Sequence, residues 1–260
     1  VGDGVADALL VKNARLEGLS NLLFLGVLCS SRYPNKLFSR YMKYEADAIM
    51  TDVNDIPNLL VSLEEKIEMR KVKVERKTVE VDIIVELNID GKGKGNVETG
   101  IKFLDHLLIT LAKHSLFDLT VKATGELRHH ISEDVALTLG EALQKAVGKK
   151  RGIRRFGSAY VPMDESLARA TVDLGGRAYS SLDLKLSQPQ IEDLKTEDIQ
   201  HFFDSFAQAS KSNLHLTVLY GSNDHHKIEA AMKALALALR QAVTLEPRIG
   251  DQVPSAKGVL

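Results

Sequence analysis

Two short histidine motifs recur in the chain, and their residue types suit the binding of metal ions. Residues 129–133 read HHISE, and residues 225–229 read HHKIE. Neutral imidazole nitrogens and carboxylate oxygens are ligands for first-row divalent metals. A further histidine precedes each motif at nearly the same spacing, His106 before the first and His201 before the second. The sequence therefore predicts metal chemistry carried by a duplicated set of ligands.

Helical geometry divides these ligands between two ions. Each motif opens a stretch that is predicted to be helical, residues 134–147 and residues 230–243. Residues four apart on a helix share a face, whereas consecutive residues do not. His129 and Glu133 can therefore bind one ion while His130 points towards another, and the second motif repeats this geometry. Ions with four protein ligands each would keep open octahedral positions, which favours catalysis over a closed structural site.

The motifs belong to two similar series of strands and helices. The first series consists of strand 78–89, helix 101–114 and strand 118–124; the second consists of strands 167–173 and 179–186, helix 196–210 and strand 213–220. We expect Val79 on the buried face of the first strand and a hairpin loop at the glycine-rich residues 91–95. An internal duplication, about 74–150 and 165–245, explains this order and predicts an α+β fold.

Residues 1–72 differ in character and are predicted to form a separate domain from residues 73–260. Their predicted elements alternate between helix and strand, as in a parallel α/β layer: helix 5–17, strand 22–29, helix 34–46, strand 48–51 and helix 56–66. The opening residues VGDGVAD resemble the fourth motif of haloacid-dehalogenase-type phosphatases, in which acidic residues hold Mg²⁺.

The matching acidic positions are Asp3 and Asp7. The nucleophilic aspartate of those phosphatases has no counterpart upstream, so the resemblance implies a truncated and catalytically silent fragment with a vestigial Mg²⁺ site. Alternatively, the two aspartates cap a helix.

Composition excludes several classes of function. The 260 residues are 44% hydrophobic and 27% charged, which is typical of a soluble globular protein. A net charge of −1 does not favour nucleic-acid binding, and no apolar run reaches the roughly 20 residues of a membrane span. The single cysteine, Cys29, excludes an intramolecular disulfide and fits a cytoplasmic location.

Residues 74–260 resemble the imidazoleglycerol-phosphate dehydratase family of histidine biosynthesis. The matching motifs are FLDH at 103–106, HHISED at 129–134, RRFG at 154–157, PMDE at 162–165, GR at 176–177, NDHH at 223–226 and SAKG at 255–258. The resemblance implies two four-stranded sheets flanking packed helices, and dehydration of imidazole glycerol phosphate to imidazole acetol phosphate.

The resemblance also implies two Mn²⁺ ions and assigns the site residues. The first ion would be held by His106, His130, His225 and Glu229, and the second by His129, Glu133, His201 and His226. The positions that would bind substrate are Glu80, His106, His114, Arg155, Arg177, Lys233, Ser255 and Lys257. Glu80 is expected to carry a proton to the leaving hydroxyl, and Glu229 is a candidate acceptor of the carbon-bound proton. Two alternatives stay open, Arg154 in place of Arg155 and a structural role for His114.

The same resemblance predicts a homo-oligomer in which metal drives trimers into a hollow shell of twenty-four subunits, with each site lying between subunits. Two other functions remain open on the sequence alone. One is a phosphatase that acts on histidinol phosphate through Asp3 and Asp7. The other is a metal-binding assembly protein without catalytic activity.

Overall fold

The computed structural model of the protein describes residues 70–250 and 252–258, together with two short strands, β1 (Leu25–Val27) and β2 (Ala48–Met50), which pair in parallel. The chain divides into two compact units, Val1–Lys66 and Ile67–Leu260. The predicted helices of the first 69 residues, Asp3, Asp7 and Cys29 lie outside the described residues. The dehalogenase-like assignment and the boundary near residue 72 therefore stay predictions.

The first four-stranded sheet has the order β3-β4-β6-β5. Its strands are β3 (Lys71–Lys77), β4 (Val81–Asn88), β5 (Gly95–Glu98) and β6 (Asp118–Gly125). All neighbours are antiparallel except β5, which runs parallel to β6. Alternate residues of β4 are buried, and Ile83 and Val85 are completely inaccessible. One face of the sheet therefore packs into the core, as the period-two pattern predicts.

The structure corrects two expectations for this sheet. Residues 78–80 form a turn between β3 and β4, in which the Thr78 hydroxyl accepts hydrogen bonds from the amides of Glu80 and Val81 at 3.1 Å. Val79 is fully exposed at the tip of this turn and not on the buried face. Residues 91–95 do not form a hairpin loop, because β5 pairs with β6 and the loop is instead held by the Asp118 carboxylate, which accepts from the amide of Lys92 at 2.8 Å.

The second four-stranded sheet repeats the topology of the first, in the order β7-β8-β12-β9. Its strands are β7 (Phe156–Met163), β8 (Ser166–Asp173), β9 (Tyr179–Asp183) and β12 (Asn213–Tyr220), and a small hairpin of β10 (Gln190–Ile191) and β11 (Leu194–Lys195) precedes the next helix. As in the first sheet, the last strand of the order runs parallel to its neighbour.

Two bounds of this second half differ from the prediction. β7 was not predicted, so the repeat begins at Phe156 and not near residue 165. Its alternation is obscured because Phe156 and Tyr160 are exposed while Gly157 packs against helix backbone. β9 ends at Asp183 and not at residue 186, since Lys185 adopts a φ of +50° that no strand continues through.

Four helices fill the space between the sheets in residues 70–250: α1 (Lys102–Ser115), α2 (Arg128–Val147), α3 (Thr196–Ser210) and α4 (Asp224–Val243). Each helix packs on strands of its own half, α2 on β3 and β4 and α4 on β7 and β8. The helix–helix contacts join the halves, with α1 against α4 and α2 against α3. At Gly140 the α2–α3 contact is so close that a Cβ atom would lie 2.7 Å from the Phe206 carbonyl oxygen.

The predicted α+β architecture, with duplicated halves and two four-stranded sheets flanking packed helices, is confirmed. Both histidine motifs lie in the first turn of a helix, since α2 begins at Arg128 and α4 at Asp224. Within residues 70–250 and 252–258, none of the helices combines the length and apolarity needed to cross a bilayer.

Candidate metal centre

The first group of potential metal ligands consists of His106 from α1 and His225 and Glu229 from α4. Nε2 of His106 lies 3.2 Å from Glu229 Oε2, and Nε2 of His225 lies 3.3 Å from the same oxygen. The ligand atoms of all three residues lie within 4.8 Å of one another. His225 and Glu229 meet because they are one helical turn apart. Two imidazole nitrogens and a carboxylate oxygen thus converge as a divalent ion requires.

Glu229 is ionised in this group despite being buried. Burial opposes the charge, but hydrogen bonds from Lys233 and His106 lower the pKa of Glu229 to about 2. Lys233 Nζ lies 2.7 Å from Glu229 Oε1, and the same nitrogen lies 3.2 Å from the sulfur of Met163. Lys233, which the sequence assigned to substrate, therefore lies beside the first group. Burial and Lys233 together lower the pKa of His114, which favours its neutral form.

The second group consists of His129 and Glu133 from α2 and His201 from α3. His129 Nε2 lies 3.7 Å and His201 Nδ1 3.9 Å from Glu133 Oε2. The two rings are stacked at 9°, with centroids 5.3 Å apart. His201 Nδ1 is buried and has no hydrogen-bond partner among the described residues. Buried polar atoms without partners are costly, so this nitrogen fits a metal ligand well.

His129 is held in position by Asp198. Nδ1 of His129 lies 2.6 Å from Oδ1 of Asp198, and Asp198 is only 3% exposed. This hydrogen bond raises the pKa of His129 above its usual value. A proton on Nδ1 leaves the lone pair of Nε2 directed towards Glu133, which is the tautomer that a metal needs.

His130 and His226 do not join either group within one chain. His130 Nδ1 lies 3.3 Å from Glu80 Oε2, in the turn between β3 and β4. His226 Nδ1 lies 2.7 Å from Glu165 Oε2, in the equivalent turn between β7 and β8. Each group therefore contains three of its four predicted ligands, and each remaining histidine is paired with a turn glutamate.

Glu165 and Asp198 are residues that the sequence analysis did not assign. Two signals for Glu165 were available: it ends the family motif at 162–165, and it occupies the place in the second half that Glu80 occupies in the first. No sequence pattern marked Asp198, which lies one helical turn before His201 and contacts a histidine from another helix.

We call Arg155, Arg177, Ser255 and Lys257 the cation cluster, because the last three each lie within three residues, along the chain, of a residue that contacts Arg155. Its guanidinium forms a bidentate pair with Asp173 at 2.6 and 3.0 Å, and Nη1 donates to the carbonyl of Pro254 at 3.0 Å. Pro254 precedes Ser255 and Lys257 in the chain. A Cβ atom on Gly175, two residues before Arg177, would lie 2.9 Å from Nη2 of Arg155. The side chain of Arg154, by contrast, is 52% exposed, with only a 3.9 Å contact to Glu246. Arg155 is thus the inward-facing member of the pair.

This cation cluster is remote from the histidines of the same chain. The amide of Arg155 donates to the carbonyl of Ala242 in the last turn of α4, whereas His226 lies in its first turn. At about 1.5 Å per helical residue, the separation is roughly 25 Å. Within one chain, Arg155 and His226 therefore lie at opposite ends of α4.

Known proteins share this sequence and fold. A family model described as imidazoleglycerol-phosphate dehydratase matches residues 99–239. The imidazoleglycerol-phosphate dehydratase of Methanococcoides burtonii is 50% identical over 195 residues, covering 74% of this chain and 100% of the relative. That of Chloroherpeton thalassium is 48% identical over 194 residues, covering 74% and 98%.

Solved structures agree with these relatives. The Pyrococcus furiosus enzyme in complex with (S)-C348 is 37% identical with a TM-score of 0.63, covering 72% of this chain and 100% of that chain. The Staphylococcus aureus enzyme is 32% identical with a TM-score of 0.63, covering 68% and 99%. The family match, the long alignments and the shared fold lead to one conclusion: this chain belongs to the imidazoleglycerol-phosphate dehydratase family.

Proposed function

We propose that the protein dehydrates imidazole glycerol phosphate to imidazole acetol phosphate in histidine biosynthesis, with two Mn²⁺ ions at each active site. The observation that carries this proposal is the pair of His/Glu groups, each with three converging ligands. Family membership supports the substrate, and the single cysteine fits a reducing cytoplasm.

The fourth ligand of each ion comes from a neighbouring copy of the chain. His130 of one copy completes the group of His106, His225 and Glu229 on another, and His226 completes the group of His129, Glu133 and His201. The separation of roughly 25 Å between His226 and Arg155 along α4 supports the same arrangement for the cation cluster. We therefore propose a closed homo-oligomer, trimers assembling into twenty-four subunits, whose assembly depends on metal.

When bound, the two ions supply Lewis-acid charge beside the imidazole ring of the substrate, which makes loss of a carbon-bound proton feasible. The residues of the chain then position the substrate and move protons. The C–H proton and the neighbouring C–OH bond are lost, a proton joins the departing hydroxide as water, and the resulting enol becomes the ketone.

Glu80 supplies the proton to the leaving hydroxyl. It lies in the β3–β4 turn with its side chain 60% exposed, and its 3.3 Å contact with His130 supports a position beside the metal site that His130 enters. General acid catalysis of this kind contributes typically ~10²–10⁴-fold. Glu229, by contrast, is a weak base because its pKa is about 2, so its main role is that of a metal ligand.

The cation cluster binds the phosphate of the substrate. Arg155 presents a guanidinium whose orientation is fixed by Asp173, and Arg177, Ser255 and Lys257 add charge and hydrogen-bond donors nearby. Remote binding of the phosphate orients the glycerol arm, which lowers the entropic part of the barrier. Lys233 forms an ion pair with Glu229, so we assign it to the metal site and not to phosphate binding in this cluster.

The test is a steady-state assay of imidazole acetol phosphate formation by metal-stripped protein with and without added Mn²⁺. We expect activity only with metal and a loss of at least about 100-fold in His201→Ala, which removes one ligand. His215→Ala is the matched control, because His215 is exposed on β12 and its ring only lies tilted against that of Tyr179, with ring centroids 5.7 Å apart. Full activity after metal removal, or in His201→Ala, would overturn the proposal.

A further inference from the structure

The two metal-binding groups differ in how firmly the chain holds their histidines. We propose that the ion bound by His129, Glu133, His201 and a neighbour's His226 is held more tightly and loads first, because Asp198 and Glu165 act as positioning residues. This inference rests on the two-metal site of the proposed function. It concerns carboxylates that contact the histidines from behind and are not ligands themselves.

Asp198 holds His129 from a buried position. A 2.6 Å hydrogen bond joins Asp198 Oδ1 to His129 Nδ1. Because Asp198 is only 3% exposed, water cannot take the place of its carboxylate. Asp198 and His201 lie three residues apart on α3, on one face of the helix. A single helix therefore supplies one ligand and fixes the ring of another.

Glu165 fixes His226 with both carboxylate oxygens engaged. Oε2 lies 2.7 Å from His226 Nδ1, while Oε1 accepts hydrogen bonds from the amides of Asn223 at 2.8 Å and Ser222 at 3.1 Å, and from Ser166 Oγ at 3.0 Å. These donors hold the carboxylate although its side chain is 38% exposed. The ring is thus held through Nδ1, which leaves Nε2 to bind the ion; among the described residues, the one acidic atom close to Nε2 is Oδ2 of the exposed Asp164, at 3.7 Å.

The histidines of the other site have weaker support. His225 Nδ1 lies 3.2 Å from Glu192, whose side chain is 62% exposed, and His130 Nδ1 lies 3.3 Å from Glu80, whose side chain is 60% exposed. Exposed ion pairs of this kind contribute little.

The charge of the carboxylate ligand also differs between the sites. In the site with weaker support, Lys233 lies 2.7 Å from Glu229 Oε1 and neutralises part of the charge that would attract the ion. No described residue pairs a lysine or arginine with Glu133, the equivalent ligand of the other site. Carboxylates behind histidine ligands change metal affinity by ~10–100-fold, so we expect the two sites to differ by at least about 10-fold.

The experiment is a Mn²⁺ titration of the full-length, metal-stripped protein, with free Mn²⁺ followed by electron paramagnetic resonance. Wild type should bind two ions per chain in two separable phases. Asp198→Asn and Glu165→Gln should each weaken the tight phase by ~10–100-fold. Glu192→Gln is the matched control and should leave both phases within about threefold. Lys233→Met should strengthen the weak phase alone, because it restores the full charge of Glu229.

Each outcome has a separate meaning. Circular dichroism would show whether Asp198→Asn folds. If it does not, Glu165→Gln still tests the inference, because Glu165 lies in a surface turn. Two indistinguishable sites, or an equal effect of Glu192→Gln and Glu165→Gln, would overturn the inference while leaving the two-metal dehydratase intact. Absence of any Mn²⁺ binding by wild type would overturn the proposed function itself.

Discussion

The rings of the consecutive residues His129 and His130 are inclined at 60° to one another, with centroids 5.9 Å apart. His129 contacts Asp198 within the chain, whereas His130 contacts Glu80 in a turn at the surface. The two adjacent side chains therefore point in different directions and contact different residues. In the second pair, the rings of His225 and His226 likewise diverge, with an angle of 89° between them.

This relationship predicts that inactive variants can restore one another in mixed oligomers. If His130 completes a neighbour's site, the two variants His130→Ala and His225→Ala can complement one another. The His130→Ala chain keeps His225, and the His225→Ala chain can supply it with the missing His130. For random mixing, about a quarter of the sites should have all ligands, so activity should reappear in proportion. The measurement is dehydratase activity after metal removal, mixing and reassembly with Mn²⁺.

A mixture of His130→Ala with Glu80→Ala is the control. Glu80 and His130 lie together on one chain, so both enter a site from the same donor and no mixed site regains both. Equal recovery in the two mixtures would contradict the assignment of His130 to a neighbour's site.

Arg155 and Arg154 offer a matched pair for testing the phosphate site. Arg155→Gln should raise KM by ~10–100-fold with a smaller change in kcat, because a charge-assisted contact to phosphate is lost. Arg154→Gln should change KM by less than about threefold, since its exposed side chain makes only a weak ion pair. An equal effect of the two substitutions on KM would reject the assignment of Arg155.

Asp224 should determine part of the stability at low pH. Burial opposes its charge, but Lys227, at 2.7 Å, and the amides of Ser187 and Gln188 lower its pKa to about 2. The folded pKa lies below the unfolded value of about 3.9, so the stabilisation is fully present above that value and is lost as the pH falls through about 2. Acid unfolding of metal-free wild type should therefore include a component in this window that Asp224→Asn lacks.

Asp224→Asn should also destabilise the protein at neutral pH by ~3–5 kcal/mol, because Lys227 becomes an unpaired buried charge. Denaturant unfolding measures this change. Asp82→Asn is the control: Asp82 pairs with Lys77 at 3.0 Å, but both side chains are about half exposed or more, so the expected cost is below about 1 kcal/mol. A similar loss in both variants would show that the burial of the Asp224–Lys227 pair has no consequence.

Gly157 allows β7 to lie directly on α4. A Cβ atom there would collide with the carbonyl oxygen of Ala238, so Gly157→Ala should destabilise the fold by ~3 kcal/mol or more and displace the helix that carries Glu229. Gly100→Ala is the control, because nothing lies within 4 Å of its Cβ position and only the strain of a φ of +77° remains, ~1–2 kcal/mol. Unfolding in denaturant should separate the two, and a smaller effect at Gly157 would contradict the steric argument.

The elements that bear the metal ligands could be predicted from the sequence because their patterns are local. Helix 196–210 and strand 213–220 were predicted with the bounds of α3 and β12, since their apolar spacing is regular. The divergence of consecutive histidines also follows from helical geometry alone.

The missed features depend on contacts between distant residues. Val79 continues an apolar alternation, but the chain turns away from the core there. The turn is closed by the amide of Thr78, which donates to the Val81 carbonyl, and by the hydrogen bonds to the Thr78 hydroxyl. Asp198 becomes important because α3 packs on α2, which no local pattern reveals. β7 was missed for the same reason, because the need for glycine at position 157 arises only from its contact with the backbone of α4.

Both groups of potential metal ligands draw their residues from both halves of the repeat, His106 with His225 and Glu229, and His129 and Glu133 with His201. The helices likewise pack across the halves. A single half cut from the chain would leave these helix faces uncovered and each ligand group incomplete. We therefore expect that neither half folds or gathers its ligands when it is produced alone.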